Sequence, residues 1–169
     1  MRRVILGSTW AWQTSKSEPR GKFSIVFGGP IGEFVQMNFP GIVSWGLQHE
    51  VARKLPPEGI DIDLRPFLPP HRRGITSFYP GQLTAATDYF AQLEAGLPGQ
   101  TDKKALIFWA LKDPGFPRND LVRWEKTFPS HKTIGFPNAS HFFFEDVADQ
   151  MIPEIRAFMS SDQPGTGRP

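Results

Sequence analysis

The chain contains no cysteine. That excludes a disulfide framework and any thiolate metal site, and it leans the expected compartment toward the cytoplasm. No stretch approaches the roughly 20 apolar residues that span a bilayer, so no membrane partner is expected. The start, Met1-Arg2-Arg3-Val4-Ile5-Leu6-Gly7, sets basic residues before apolar ones, but its apolar part is too short for a signal peptide. A dominant charge is also missing: 19 basic residues face 17 acidic ones, a formal net charge of +2. The nearest approach to a basic cluster is His71-Arg72-Arg73, too little for a nucleic-acid interface. Internal repeats are absent.

What is present fits one ordinary soluble domain. A chain of 169 residues, 39% apolar and 21% charged, can bury a normal core. Seventeen prolines and five tryptophans point to a long, irregular, aromatic middle section. The second half carries two telling stretches. Ala105-Leu106-Ile107-Phe108-Trp109-Ala110-Leu111-Lys112-Asp113-Pro114 is an apolar run ending in an acid. Such a run bounded by polar residues reads as a strand buried on both faces, as in a parallel sheet. Asn138-Ala139-Ser140-His141-Phe142 is a turn carrying a histidine, and it follows a shorter candidate strand at 132–136. Reactive groups in open parallel sheets sit just beyond the carboxyl ends of strands, where Asp113 and His141 would both lie. An acid that orients a histidine is two thirds of a nucleophile–base–acid arrangement.

Along the chain, residues 4–6 form a short strand candidate, left by Ser8-Thr9-Trp10-Ala11-Trp12 and a polar linker over 13–20. Residues 22–51 hold two or three short helices broken by Gly28-Gly29-Pro30 and Phe39-Pro40-Gly41. The proline- and acid-rich 55–70 reads as loop or extended chain. Pro80 is expected to open a helix ending before Gly96, with Leu83, Ala86, Phe90 and Leu93 as its core-facing stripe. After the strand at 105–111 come a helix near 120–128, the strand at 132–136, the His141 loop and a helix near 145–160. Glu145 and Asp146 stand at the positive end of that last helix, and Pro153 is expected to kink it or mark its start. The tail 161–169 reads as disordered. Strand–helix–strand–helix alternation means an α/β protein with a parallel sheet.

Ser8-Thr9-Trp10-Ala11-Trp12, Ala110-Leu111-Lys112-Asp113-Pro114-Gly115-Phe116 and Asn138-Ala139-Ser140-His141-Phe142 together resemble the C-terminal half of an α/β-hydrolase, most closely the haloalkane dehalogenase-like branch. The resemblance implies a first core strand and its exit over 1–12, a helical cap over 13–98, and core strands and helices with the acid and base over 99–160. It implies Asp113 as catalytic acid and His141 as base. Trp10, Trp12 and Phe142 are candidate substrate contacts, the tryptophans being equally suited to packing cap on core. The family's nucleophile stands on a strained strand-to-helix elbow, Gly-x-Ser-x-Gly or Gly-x-Asp-x-Gly. Ile42-Val43-Ser44-Trp45-Gly46 lacks the first glycine of that motif and Gly59-Ile60-Asp61-Ile62-Asp63 the second. The chain is therefore expected to begin after its nucleophile, to be inactive alone, and to expose the apolar strand at 4–6 as an edge open to self-association.

The implied substrate is a small apolar molecule: an alkyl halide or an epoxide for an aspartate nucleophile, an ester for a serine. A non-catalytic remnant that serves as a binding module is the competing reading. His49, His71 and His131 read as surface residues. No cofactor and no metal are expected, since His141 and Glu145 share helical spacing without a third ligand.

Overall fold

The computed structural model of the chain describes residues 3–39 and 41–161. Pro40 of the expected break at 39–41, and all but Ser161 of the expected disordered tail, lie outside the described residues. Three parallel strands form the sheet, in the spatial order β1 (Arg3–Gly7), β2 (Lys104–Ala110) and β3 (His131–Phe136). Val4 lies opposite Ala105, and Ala105 opposite His131. β2 is buried throughout from Ala105 to Ala110, which explains its unbroken apolar sequence.

Each face of β2 has its own core. Ile107 and Trp109 pack with Trp12, Leu121, Trp124 and Phe128 on one side. Leu106, Phe108 and Ala110 pack with Phe136, Phe143, Val147 and Met151 on the other. The first set is completed by α7 (Arg118–Thr127), which connects β2 to β3, and the second by α8 (Phe143–Ser160). β1 has a strand neighbour on one edge only among the described residues, and its Ile5 is exposed. Ser8 ends β1 in the left-handed region, with φ 23°. Its N–H donates to the Phe108 carbonyl and its Oγ accepts the Ala110 N–H, each at 3.0 Å, so the turn ties β1 to the exit of β2.

Between β1 and β2 runs a helical insert: α1 (Pro19–Phe27), α2 (Pro30–Asn38), α3 (Gly41–His49), α4 (Pro57–Leu64), α5 (Pro70–Ala85) and α6 (Thr87–Gly96). Short 3-10 turns follow α4 and α6. The three helices within 19–49 match the expected short helices. α5 packs across α1 and α2. The crossing is tight at Gly28, where a Cβ would come within 2.3 Å of Gly81 backbone atoms. Beside it the Ser24 and Thr84 hydroxyls share a hydrogen bond at 2.8 Å. No described helix is long and apolar enough to cross a membrane.

Four local expectations are corrected. Residues 57–64 are helical and not loop: Pro57 occupies the first turn, where a missing N–H costs nothing, and Glu58 favours the helix start. Pro80 does not open a helix but lies inside α5, held there by the packing of α5 on α1 and α2. The chain breaks instead at Ala86, so the stripe of Leu83, Ala86, Phe90 and Leu93 is divided between α5 and α6. The 13–20 segment is not simply a polar linker, because Pro19 begins α1 and Arg20 is buried in it. Finally, α8 departs from helical geometry at Val147 (φ −134°, ψ 20°) and not at Pro153. That break falls where Val147 is buried against the sheet and where the Asp146 carboxylate accepts the Ala52 and Arg53 N–H groups.

Candidate active site

The two strand exits are stitched together before any side chain is considered. Leu111 N–H donates to the Phe136 carbonyl at 3.0 Å and Lys112 N–H to the Ala139 carbonyl at 3.1 Å. This brings the loop after β2 beside the loop after β3, and with them Asp113 and His141. His141 Nδ1 lies 3.1 Å from Asp113 Oδ2 and 3.2 Å from Oδ1. The Asp113 side chain is 0% exposed and that of His141 41%, so a fully enclosed carboxylate holds an imidazole that opens outward. Asp113 also closes an Asx turn: its Oδ1 accepts Gly115 N–H at 2.7 Å and Phe116 N–H at 3.3 Å. Any Cβ at Gly115 would stand 3.2 Å from Asp113 Oδ1 and 3.6 Å from His141 Cε1, so glycine suits the closest point of this loop.

With Nδ1–H donated to Asp113, the lone pair of Nε2 is free to take a proton. Phe116 stacks on the imidazole, with centroids 5.6 Å apart and planes 8° from parallel, and Phe142 meets it edge-on at 5.3 Å. The hydrogen bond to Asp113 raises the His141 pKa above its ordinary value. Burial opposes this, and the negative charges of Asp113 and Glu50 add to it. Stability follows from that direction. A folded-state pKa raised above the unfolded one stabilises the fold fully at pH below about 6.5, the unperturbed histidine value, and the gain is lost as pH rises through the folded pKa. Asp113→Asn is expected to lower the His141 titration midpoint and flatten this pH dependence, read by NMR titration and by urea midpoints across pH 5 to 9. An unmoved midpoint would show that the contact does not persist in solution.

His141 and Phe142 look into a cavity of about 770 Å³ between the insert and the strand exits. Its wall is mostly aromatic and aliphatic: Trp10, Phe23, Phe27, Ile42, Trp45, Tyr79, Leu83 and Phe116 contribute. Trp10 stacks on Phe90 at 5.2 Å, and its indole Nε1 is buried without a hydrogen-bond partner among the described residues. Trp12 does not line this cavity. It is 5% exposed and packs against Trp124 at 5.2 Å, in the core between β2 and α7. His49, His71 and His131 are exposed and do not line the cavity, though His49 stacks on the cavity-lining Trp45. Among the described residues no three histidine or acidic side chains gather as metal ligands.

The sequence reading missed Arg20 and Glu50. Arg20 lines the cavity while pairing with Asp120 of α7, and its guanidinium lies over the rings of Trp10 and Phe116, 5.1 and 5.6 Å away. Neither residue stands near its partner in sequence, so no local pattern marks them.

Comparisons with known proteins bear on the fold and the family. A family model for the alpha/beta hydrolase fold matches residues 73–148. Haloalkane dehalogenase 2 of Mycobacterium tuberculosis is 30% identical over 163 residues, covering 92% of this chain and 54% of that protein. A cis-3-alkyl-4-alkyloxetan-2-one decarboxylase of Xanthomonas campestris is 33% identical over 63 residues, 37% of this chain and 21% of that protein. The chain therefore spans about half the length of the dehalogenase it matches. Among solved structures, haloalkane dehalogenase DbeA from Bradyrhizobium elkani superposes with a TM-score of 0.82 at 17% identity, over 95% of this chain and 59% of that one. Haloalkane dehalogenase DatA from Agrobacterium tumefaciens gives 0.75 at 16%, over 95% and 58%. In fold the chain is an α/β-hydrolase, and in sequence it resembles the haloalkane dehalogenase-like branch of that superfamily.

Proposed function

We propose that the chain carries the acid and base of a hydrolase site acting on a small apolar substrate, with His141 as base and Asp113 as the acid that orients it. The observation behind this reading is the buried Asp113 carboxylate bonded to the Nδ1 of a histidine that opens into a large apolar cavity. The helical insert then acts as the cap that keeps water from the substrate. In the chemistry proposed, a nucleophilic carboxylate not assigned to any residue of this chain attacks the carbon bearing a halogen, the carbon–halogen bond breaks and the halide leaves. His141 Nε2 next takes a proton from water while the water oxygen attacks the ester carbonyl, releasing the alcohol and restoring the carboxylate. Asp113 stabilises the imidazolium so formed and does not itself take the proton. The unpartnered Trp10 Nε1–H is a donor that a departing halide or an ester carbonyl would satisfy.

Halide release from short haloalkanes and phenolate release from p-nitrophenyl esters, by the chain and by its His141→Ala variant, test the reading. Turnover that falls by about 100-fold or more in His141→Ala is expected wherever the chain turns a substrate over. Turnover unchanged in that variant would overturn it. A folded chain without turnover would favour the second reading, a binding module, which the size and apolar wall of the cavity support. That reading expects saturable binding of 1-bromohexane, followed by tryptophan fluorescence.

A further inference from the structure

Glu50 follows the last residue of α3 and supplies the carboxylate among the described cavity-lining residues. Its own N–H is anchored to the Gly46 carbonyl in the last turn of α3 at 3.0 Å. From there it reaches both sequence neighbours of His141. Ser140 Oγ lies 3.1 Å from Glu50 Oε2 and donates to it, and Phe142 N–H donates to the Glu50 carbonyl at 2.9 Å. Two residues further on, Ala52 and Arg53 N–H donate to the two oxygens of Asp146 at 2.7 and 2.9 Å. Four hydrogen bonds thus join residues 50–53 of the insert to residues 140–146 around the base.

We propose that Glu50 is a second positioning residue for His141, its main chain and carboxylate fixing the histidine loop from the insert while its charge adds to that of Asp113. The groups around the ring support this. Asp113 holds Nδ1 from the β2 exit, and Glu50 adds its charge from the end of α3. The nearby cation, Arg20, is paired with Asp120 and stands beyond the Phe116 ring. The protonated imidazole is therefore favoured first by its bond to Asp113 and, to a smaller extent, by the charge of Glu50. Since Glu50 belongs to the insert, the proton affinity of the base depends on the insert being docked. The catalytic meaning of this inference rests on His141 being the base, but its test does not require turnover.

The experiment is a ¹⁵N-imidazole NMR titration of His141, with amide exchange at Phe142, in the unaltered chain and in Glu50→Gln, Glu50→Ala and Asp113→Asn. Glu50→Gln keeps an acceptor for Ser140 and removes the charge. It is expected to lower the His141 midpoint while Phe142 exchange changes by less than about twofold. Glu50→Ala, which removes the acceptor as well, is expected to lower the midpoint and speed Phe142 exchange by about tenfold. A midpoint that falls in Asp113→Asn but not in Glu50→Gln overturns the inference and leaves the acid–base reading standing. A midpoint indifferent to both overturns the two together. Glu50→Gln alone decides the electrostatic part if Glu50→Ala does not fold.

Discussion

Phe108→Ala is expected to destabilise the protein by about 3–5 kcal/mol, the usual cost of truncating a buried phenylalanine. Phe108 is 0% exposed at the centre of β2. Its ring stacks on Phe136 with centroids 6.1 Å apart, and it packs with Phe143, Val147 and Met151. The lost volume has no means of refilling, because β2 is hydrogen-bonded on both edges and its backbone cannot move toward α8. Domain stabilities of about 5–15 kcal/mol leave little after such a loss. The effect should extend to the site, since Phe136, Ala139 and Phe143, which bracket the His141 loop, all belong to the same cluster. Urea unfolding followed by far-ultraviolet circular dichroism checks the prediction. A loss under about 1 kcal/mol would mean that this face of the sheet repacks, and that β2 is not the fixed centre described above.

Asp120→Ala should cost a similar amount for a different reason. Arg20 and Asp120 form an ion pair in which the side chains are 7% and 8% exposed. Removing the acid leaves the enclosed guanidinium with only the half-exposed Glu18 carboxylate, 3.7 Å from Nη2, as counter-charge, and breaking such a buried pair from one side typically costs about 3–5 kcal/mol. The remaining partner of Arg20 Nη1, the Gly115 carbonyl at 3.1 Å, carries no charge to compensate. Replacing both ends with apolar residues of similar size removes the penalty, so Arg20→Met with Asp120→Leu should recover most of the loss. Because Arg20 underlies Phe116 and Phe116 underlies His141, the single variant should also loosen the imidazole. Urea midpoints of the two single variants and the double variant form the test. A double variant no more stable than Asp120→Ala would show that the pair contributes through geometry and not through charge compensation.

The parts of this molecule that were legible in sequence are those whose cause is local. β2 announced itself because a strand buried on both faces must be apolar at every position. Asp113 and His141 could be brought together on paper because each directly follows a strand of one parallel sheet, and parallel strands align their exits. Proline was the least transparent residue. Pro57 sits at a helix start, as its missing N–H allows, yet its proline-rich surroundings suggested loop. Pro80 suggested a helix start and lies inside α5, because the contacts of α5 with α1 and α2 outweigh the local cost. Trp10 and Trp12 are two positions apart, but one lines the cavity and the other fills the core. The buried pair of Arg20 with Asp120 and the bond of Glu50 to Ser140 join residues about 90 to 100 positions apart, a separation that no window along the chain can bridge.

The pairing of β1 with β2 also sets a timetable. Val4 is made about 100 residues before its partner Ala105. At ribosomal rates of about 5–20 residues per second, β1 waits roughly 5–20 s for β2 to be made. During that interval the insert helices, whose contacts are more local, can form, while β1 still lacks its β2 partner. The sheet is then completed late, by the same segments that deliver the acid and the base. In a cell, β1 therefore stays without its β2 partner until the segment that leads to Asp113 has been synthesised.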